Sequence, residues 1–174
     1  AIIGCRDASD YGKRVAFNFA YELAKEGFVI VSGLARGIDT YAHLGAVKAH
    51  SDWCTLLGSG LKHIYPAENK ELCNEIVKKG GAVITEYEPH IKPLPMNFPS
   101  RNRIISGLSN GVLVVEAKQK SGTLITVDYA LEQGKDVFVI PGNITSTNSY
   151  GTNDLIKQGA KPVTNIQEII EEII

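Results

Sequence analysis

The sequence has 174 residues, of which 44% are hydrophobic and 21% charged, and its formal net charge is −1. This composition is typical of a globular protein and argues against disorder, while no apolar run approaches the ~20 residues of a membrane-spanning helix. The length suits one domain. We expect a cytoplasmic location and no membrane partner. The three cysteines are far apart and form no CxxC, so they indicate neither a disulfide framework nor a zinc site.

Short apolar runs alternate with helical patterns along the chain, which is typical of βαβ units and a mostly parallel sheet of at least six strands. The first strand, Ala1–Gly4, is already under way at the first residue, so we expect a trimmed N-terminal boundary. Asp10 is the predicted cap of the first helix. The predicted strands after it are Phe28–Val31, Thr55–Leu57, Ala82–Thr85, Val112–Glu116, Val137–Ile140 and Pro162–Val163.

A proline-rich segment, Tyr87–Pro99, interrupts this alternation and is predicted to be an extended loop, since proline fixes φ and removes a backbone donor. A short helix, Arg101–Leu108, is expected to follow, with two arginines in its first turn. Cations there oppose the helix dipole, which suggests an anion between them. Alternatively, one arginine pairs with Glu86 or Glu116.

The loops that follow parallel strands are where such sheets bind ligands, and three of them are rich in small residues. Ser32–Asp39 carries two glycines and one arginine at a helix N-terminus. Gly58–Gly60 follows the third strand. Lys118–Leu124 joins two lysines to a Ser-Gly-Thr sequence that opens a helix. Each predicts an anion site of backbone N–H groups; alternatively, each is an ordinary turn with solvated side chains, and Asp39 and His43 only cap and pack.

Basic side chains are concentrated in one part of the sequence. Between residues 92 and 120 there are five of them against the single carboxylate of Glu116, a local charge of +4 on a mildly acidic chain. Nearby aromatic side chains could stack unpaired bases, although core packing is the better explanation for any one of them. The candidates are Tyr65, Tyr87, Phe98 and Tyr150.

Known nucleotide-binding and catalytic patterns are absent from the sequence. It contains no GxxxxGK[ST], and Gly58-Ser59-Gly60 fails the GxGxxG pattern because His63 occupies the third glycine position. The four histidines have no metal-ligand spacing, and no Ser-His-Asp or Cys-His arrangement can be proposed. We therefore expect no catalytic residue, no metal and no cofactor.

Several motifs in chain order resemble the DNA-processing protein A family, also called Smf. They cover nearly the whole chain and are Ser32–Asp39, Gly58–Gly60 with Ile64–Pro66 and Glu68-Asn69, Phe98-Pro99 with Arg101–Ser109, Val114–Ala117, Lys120–Thr126, Ala130–Gly134, Val137-Phe138, Pro141-Gly142 and Gly159-Ala160.

This resemblance implies an α/β, extended Rossmann-like fold with helices on both faces of the sheet. It also implies a homodimer that binds and protects single-stranded DNA and loads the RecA recombinase during natural transformation, without catalysis. The small domains that often flank the family core have no counterpart in these residues. The implied phosphate-binding residues are Ser32, Gly33, Arg36, Gly37, Gly58, Ser59, Gly60, Arg101, Asn102, Arg103, Lys120, Ser121, Gly122 and Thr123.

Two alternatives stay open at this stage. Phosphoribohydrolases similar to lysine decarboxylases share this type of fold and carry a GGxGTxxE motif. Aligned on Gly122-Thr123, the glutamate of that motif falls on Thr126, and Gln119 and Lys120 replace its leading glycines. The carboxylate that would serve acid–base chemistry is therefore missing. A nucleotide sensor that uses the same loops without turnover is the second alternative.

Overall fold

The structure is a computed structural model that describes residues 1–50 and 53–174. Strands and helices alternate along nearly the whole chain. The strands are β1 (Ile2–Ile3), β2 (Ile30–Ser32), β3 (Trp53–Leu56), β4 (Ala82–Ile84), β5 (Gly111–Val114), β6 (Asp136–Val139) and β7 (Lys161–Pro162). The helices are α1 (Asp10–Lys25), α2 (Ile38–Ala49), α3 (Lys70–Lys78), α4 (Asn97–Gly107), α5 (Gly122–Glu132), α6 (Tyr150–Lys157) and α7 (Gln167–Ile173), with 3₁₀ turns at Ala67–Asn69 and Thr147–Ser149.

All strand pairings are parallel, as predicted, but they form two sheets rather than one. One sheet has the order β1-β5-β6-β7 and the other β2-β3-β4. Where β1 meets β2, the buried Ser32 hydroxyl donates to the carbonyl of Ile2 at 2.7 Å and joins the two strands. The two strands belong to different sheets, so this side-chain hydrogen bond bridges the sheets.

Helices cover both faces of the strands, which confirms the expected α/β class. Successive residues of a strand point to opposite faces, and Ile2 packs with α1, α2 and α7 while Ile3 packs with α4, α5 and α6. Leu113 and Val114 of β5 divide in the same way. Strands buried on both faces explain the continuous apolar runs in the sequence.

Two helix starts differ from the sequence prediction. Ser9, rather than Asp10, caps α1, and its hydroxyl accepts from the amide of Gly12 at 3.0 Å. Helix α4 begins at Asn97 instead of Arg101. Proline is tolerated in the first turn of a helix, where its missing N–H would have no partner, so Pro99 lies inside α4 rather than before it.

Candidate functional site

A cleft of about 470 Å³ opens at the carboxyl edge of the strands. The loop after β1, the first half of α4 and the segment from Lys118 into α5 line this cleft. Parallel α/β sheets place their ligand sites at this edge. The structure brings six of the predicted residues together here, namely Arg101, Asn102, Lys120, Ser121, Gly122 and Thr123.

The N-terminus of α5 forms one wall of the cleft. The Ser121 hydroxyl accepts from the amide of Thr123 at 3.2 Å and donates to the Thr123 hydroxyl at 3.0 Å, which fixes the first turn. Gly122 is exposed, and Lys120 is exposed and has no carboxylate within 4 Å among the described residues. An open helix N-terminus beside an unpaired lysine attracts anions.

Arg101 forms part of the floor of the cleft and is only 4% exposed. Its guanidinium donates to the carbonyl of Gly33 at 2.8 Å and to that of Leu56. Burial lowers the pKa of Arg101 to about 10. Because α4 begins at Asn97, Arg101 lies in the second turn of the helix. The expectation of two arginines in the first turn is therefore wrong, and these internal hydrogen bonds make Arg101 a buried link between α4, the loop after β2 and the end of β3.

Asp39 lies beside Arg101 and is 6% exposed. Its carboxylate accepts from the amide of Gly33 at 3.0 Å. Burial raises the pKa of Asp39 to about 6, although the positive charge of Arg101 opposes the shift. His43 is fully buried, its ring nitrogens have no hydrogen-bond partner among the described residues, and burial lowers its pKa to about 3. The alternative that Asp39 and His43 serve the fold agrees with these contacts.

The Gly58–Gly60 loop is buried and lies outside the cleft lining. The amide of Gly60 donates to the carbonyl of Ile91 at 2.8 Å, and the Ser59 hydroxyl donates to that of His63 at 2.6 Å. These groups, like the Gly33 amide, have acceptors within the protein. The loop supports the proline-rich segment instead of presenting donors to the cleft.

Three exposed cations at or near the cleft have carboxylate partners. Arg36 donates to Glu68 at 2.9 Å, and this hydrogen bonding raises the pKa of Arg36 and lowers that of Glu68. Arg103 pairs with Glu86, which confirms one of the alternatives foreseen from the sequence. Lys118 pairs with Asp7 at 3.1 Å. Within the part of the chain that the structure describes, Glu116 pairs with no arginine and accepts from Ser9 and Asn148 instead.

The loop after β1 supplies residues that the sequence analysis missed. Arg6 is exposed, lines the cleft and lies over the ring of Phe98, with its guanidinium carbon 5.9 Å from the ring centroid. Arg101 lies at the same distance from that ring, and Tyr65 packs against Phe98 at 5.5 Å between centroids. Ligand sites in such sheets lie in the loops after the carboxyl ends of the strands, and Arg6 lies in the loop after β1. The same rule could therefore have identified Arg6 from the sequence.

Gly37 and Ser32 also lie outside the lining of the cleft and serve the fold. The backbone of Gly37 has a φ of 75° and approaches the loop after β1 so closely that a side chain would overlap the carbonyl of Cys5. The described residues contain no cluster of His, Cys, Asp and Glu that could hold a metal ion. None of the described helices is both long and apolar enough to cross a membrane.

Together the fold and the cleft define a Rossmann-like α/β protein with a cationic cleft at the carboxyl edge of its strands. The chain belongs to the DNA recombination-mediator protein A family, which it matches over residues 1–174. The protein Smf of Escherichia coli (strain K12) is 47% identical to it over 173 residues, which are 99% of this chain and 46% of that relative.

Two solved structures have the same fold. The crystal structure of DNA processing protein A from Streptococcus pneumoniae matches with a TM-score of 0.91 and 44% identity, over 98% of this chain and 60% of that one. DNA processing protein A from Helicobacter pylori, whose structure concerns its single-stranded DNA binding mode, matches with a TM-score of 0.89 and 35% identity, over 99% of this chain and 78% of that one. The chain spans 46% to 60% of the length of the first three curated relatives.

Proposed function

We propose that this chain binds single-stranded DNA by holding its phosphate backbone in the cleft. The observation that carries the proposal is that the open N-terminus of α5, with Lys120 and Ser121, lines the same cleft as Arg6. The amides of Thr123 and Leu124 are engaged by Ser121, so the helix contributes the exposed Gly122 amide and the positive end of its dipole. Arg6 and Lys120, which have no carboxylate within 4 Å among the described residues, add charge that attracts phosphates. The family membership of the chain and the single-stranded DNA binding of the Helicobacter pylori relative support this function.

The aromatic side chains beside the cleft suit an unpaired strand. Phe98 lines the cleft and is half-buried, and the adjacent Tyr65 is 38% exposed. Bases that are not paired can stack on such rings whatever their sequence, whereas a duplex keeps its base faces covered. Phosphate contacts in the cleft carry no sequence information, so the proposed binding is sequence-tolerant.

We further propose binding without catalysis. Thr126, which stands in place of the hydrolase-like glutamate, lines the cleft and is 2% exposed. Among the described residues, the two carboxylates that line the cleft are both engaged, since Asp39 accepts from the amide of Gly33 and Asp7 pairs with Lys118. Homodimer formation, protection of incoming DNA and loading of RecA in the cytoplasm during natural transformation are the wider role proposed for the whole protein, on the strength of its family.

Binding of a labelled oligo-dT, measured by fluorescence anisotropy at low salt, tests this function. We expect Lys120→Ala to weaken binding about three- to tenfold, because one charge-assisted phosphate contact is lost. Lys48→Ala is the matched control, since Lys48 is an exposed lysine in the last turn of α2, at the opposite edge of the strands. Tight binding of a mononucleotide without any oligonucleotide binding would contradict the proposal and favour a nucleotide sensor.

A further inference from the structure

Three segments outside α4 and α5 place carboxylates on the exposed cations at and near the cleft. Glu68 binds Arg36, Glu86 binds Arg103 and Asp7 binds Lys118, and all six side chains are at least 34% exposed. Arg6 and Lys120 differ, since neither has a carboxylate within 4 Å among the described residues. The exposed cations therefore fall into two groups. Arg6 and Lys120 in the cleft have no carboxylate partner among the described residues, and the others are each paired with a carboxylate of the same chain.

The paired arginines lie next to the cleft rather than remote from it. The guanidinium carbon of Arg36 is 5.9 Å from the ring centroid of Tyr65, and Tyr65 packs on Phe98, which lines the cleft. Arg103 belongs to α4, the helix whose first half lines the cleft. A strand held in the cleft would bring its neighbouring phosphates towards both arginines.

We propose that Glu68 and Glu86 make the site selective for a polynucleotide over small anions, because they occupy Arg36 and Arg103 until a bound strand displaces them. This inference rests on the DNA-binding function proposed above. Each carboxylate is tethered to the protein, so its effective concentration at the arginine far exceeds that of a dilute free anion. A phosphate of a strand already held in the cleft is tethered as well and can displace the carboxylate, because an exposed ion pair is weak. Free phosphate or a nucleotide lacks this advantage.

The test replaces the carboxylates by amides of the same shape. Glu68→Gln and Glu86→Gln should each tighten binding of labelled oligo-dT by about 1.5- to 5-fold, as expected for loss of an exposed ionic competitor. Millimolar pyrophosphate at constant ionic strength should then weaken oligo-dT binding more in the double variant than in the unmodified protein. Glu75→Gln is the control for the change of net charge, since Glu75 pairs with Lys79 at 2.9 Å at the far end of α3.

A double-mutant cycle distinguishes two roles of Glu68. It could compete with a DNA phosphate for Arg36, or it could position Arg36 for binding. In an Arg36→Gln background, Glu68→Gln should no longer tighten DNA binding, because the cation for which the carboxylate and the phosphate compete has been removed. Unchanged or weaker binding in Glu68→Gln and Glu86→Gln, with thermal unfolding like that of the unmodified protein, would overturn the inference and leave the DNA-binding function intact. If the unmodified protein binds no oligo-dT, the proposed function itself fails, and the inference with it.

Discussion

Arg101 is a buried cation whose hydrogen bonds serve the fold more than any ligand. Replacement by methionine leaves the carbonyls of Gly33 and Leu56 without their donor, and a buried unsatisfied group costs about 1 to 3 kcal/mol. We therefore expect Arg101→Met to lower the free energy of unfolding by about 2 to 5 kcal/mol, as measured by urea denaturation. Lys120→Met, at an exposed site, should change it by less than about 0.5 kcal/mol. Equal stability of the two variants would contradict this account of Arg101.

Asp39 should make stability depend on pH in a direction unusual for a carboxylate. Its pKa is about 6 in the folded protein against an ordinary value of 3.8, so the folded state binds this proton more tightly than the unfolded chain. The stabilising contribution is complete below about pH 4 and is lost as the pH rises through 6. Between these values we expect the unmodified protein to lose about 2 to 3 kcal/mol relative to Asp39→Asn. Urea unfolding at several pH values measures this difference, and parallel profiles for the two proteins would refute it.

At the scale of elements, the junction between the loop after β1 and the start of α2 depends on Gly37. This residue combines a positive φ with an approach to the carbonyls of Cys5 and Arg6 that leaves no room for a side chain. Gly134, after α5, also has a positive φ, but nothing lies within 4 Å of the side-chain position. We expect Gly134→Ala to cost about 1 to 2 kcal/mol and Gly37→Ala at least about 2 kcal/mol more, as measured by chemical denaturation. Similar losses would show that backbone conformation alone matters at Gly37.

The elements themselves could largely be predicted from the sequence, because strands buried on both faces and amphipathic helices leave strong local patterns. The start of α4 could not, since proline is compatible with both the end of a loop and the first turn of a helix. The site was harder to predict. The amide of Gly60 is taken by Ile91, which only the tertiary structure brings to it, and the amide of Gly33 is taken by Asp39, which the path of their own loop places there.

Ion pairs across long sequence separations follow the same rule. Arg36 and Glu68 are 32 residues apart in the chain, and no local pattern announces their contact. The N-terminus of α5 could be recognised from the sequence as an anion-binding feature. Four consecutive residues, Lys120–Thr123, combine a cation, a hydroxyl cap and a helix start. The chemistry of the site was therefore most predictable where consecutive residues supply it all, as at Lys120–Thr123.

At the scale of the whole molecule, a small net charge conceals a separation of charge. The net charge is −1, yet basic side chains gather at the carboxyl edge of the strands, while α7 carries three glutamates and no basic residue. Electrostatic attraction to DNA depends on this local field and not on the sum. Screening by salt should therefore weaken DNA binding strongly although the protein as a whole is slightly acidic.

The number of exposed cations at the cleft predicts the slope of this salt dependence. Each phosphate neutralised on a single strand contributes about −0.7 to the slope of log K against log salt concentration. If each exposed cation at the cleft holds one phosphate, oligo-dT binding should show a slope of about −3.5 between about 50 and 300 mM NaCl. The cations concerned are Arg6, Arg36, Arg103, Lys118 and Lys120. Lys120→Ala should reduce the slope by about 0.7, and Lys48→Ala should leave it unchanged. Tight binding with a slope near zero would mean that uncharged contacts to the bases, and not the phosphates, hold the strand.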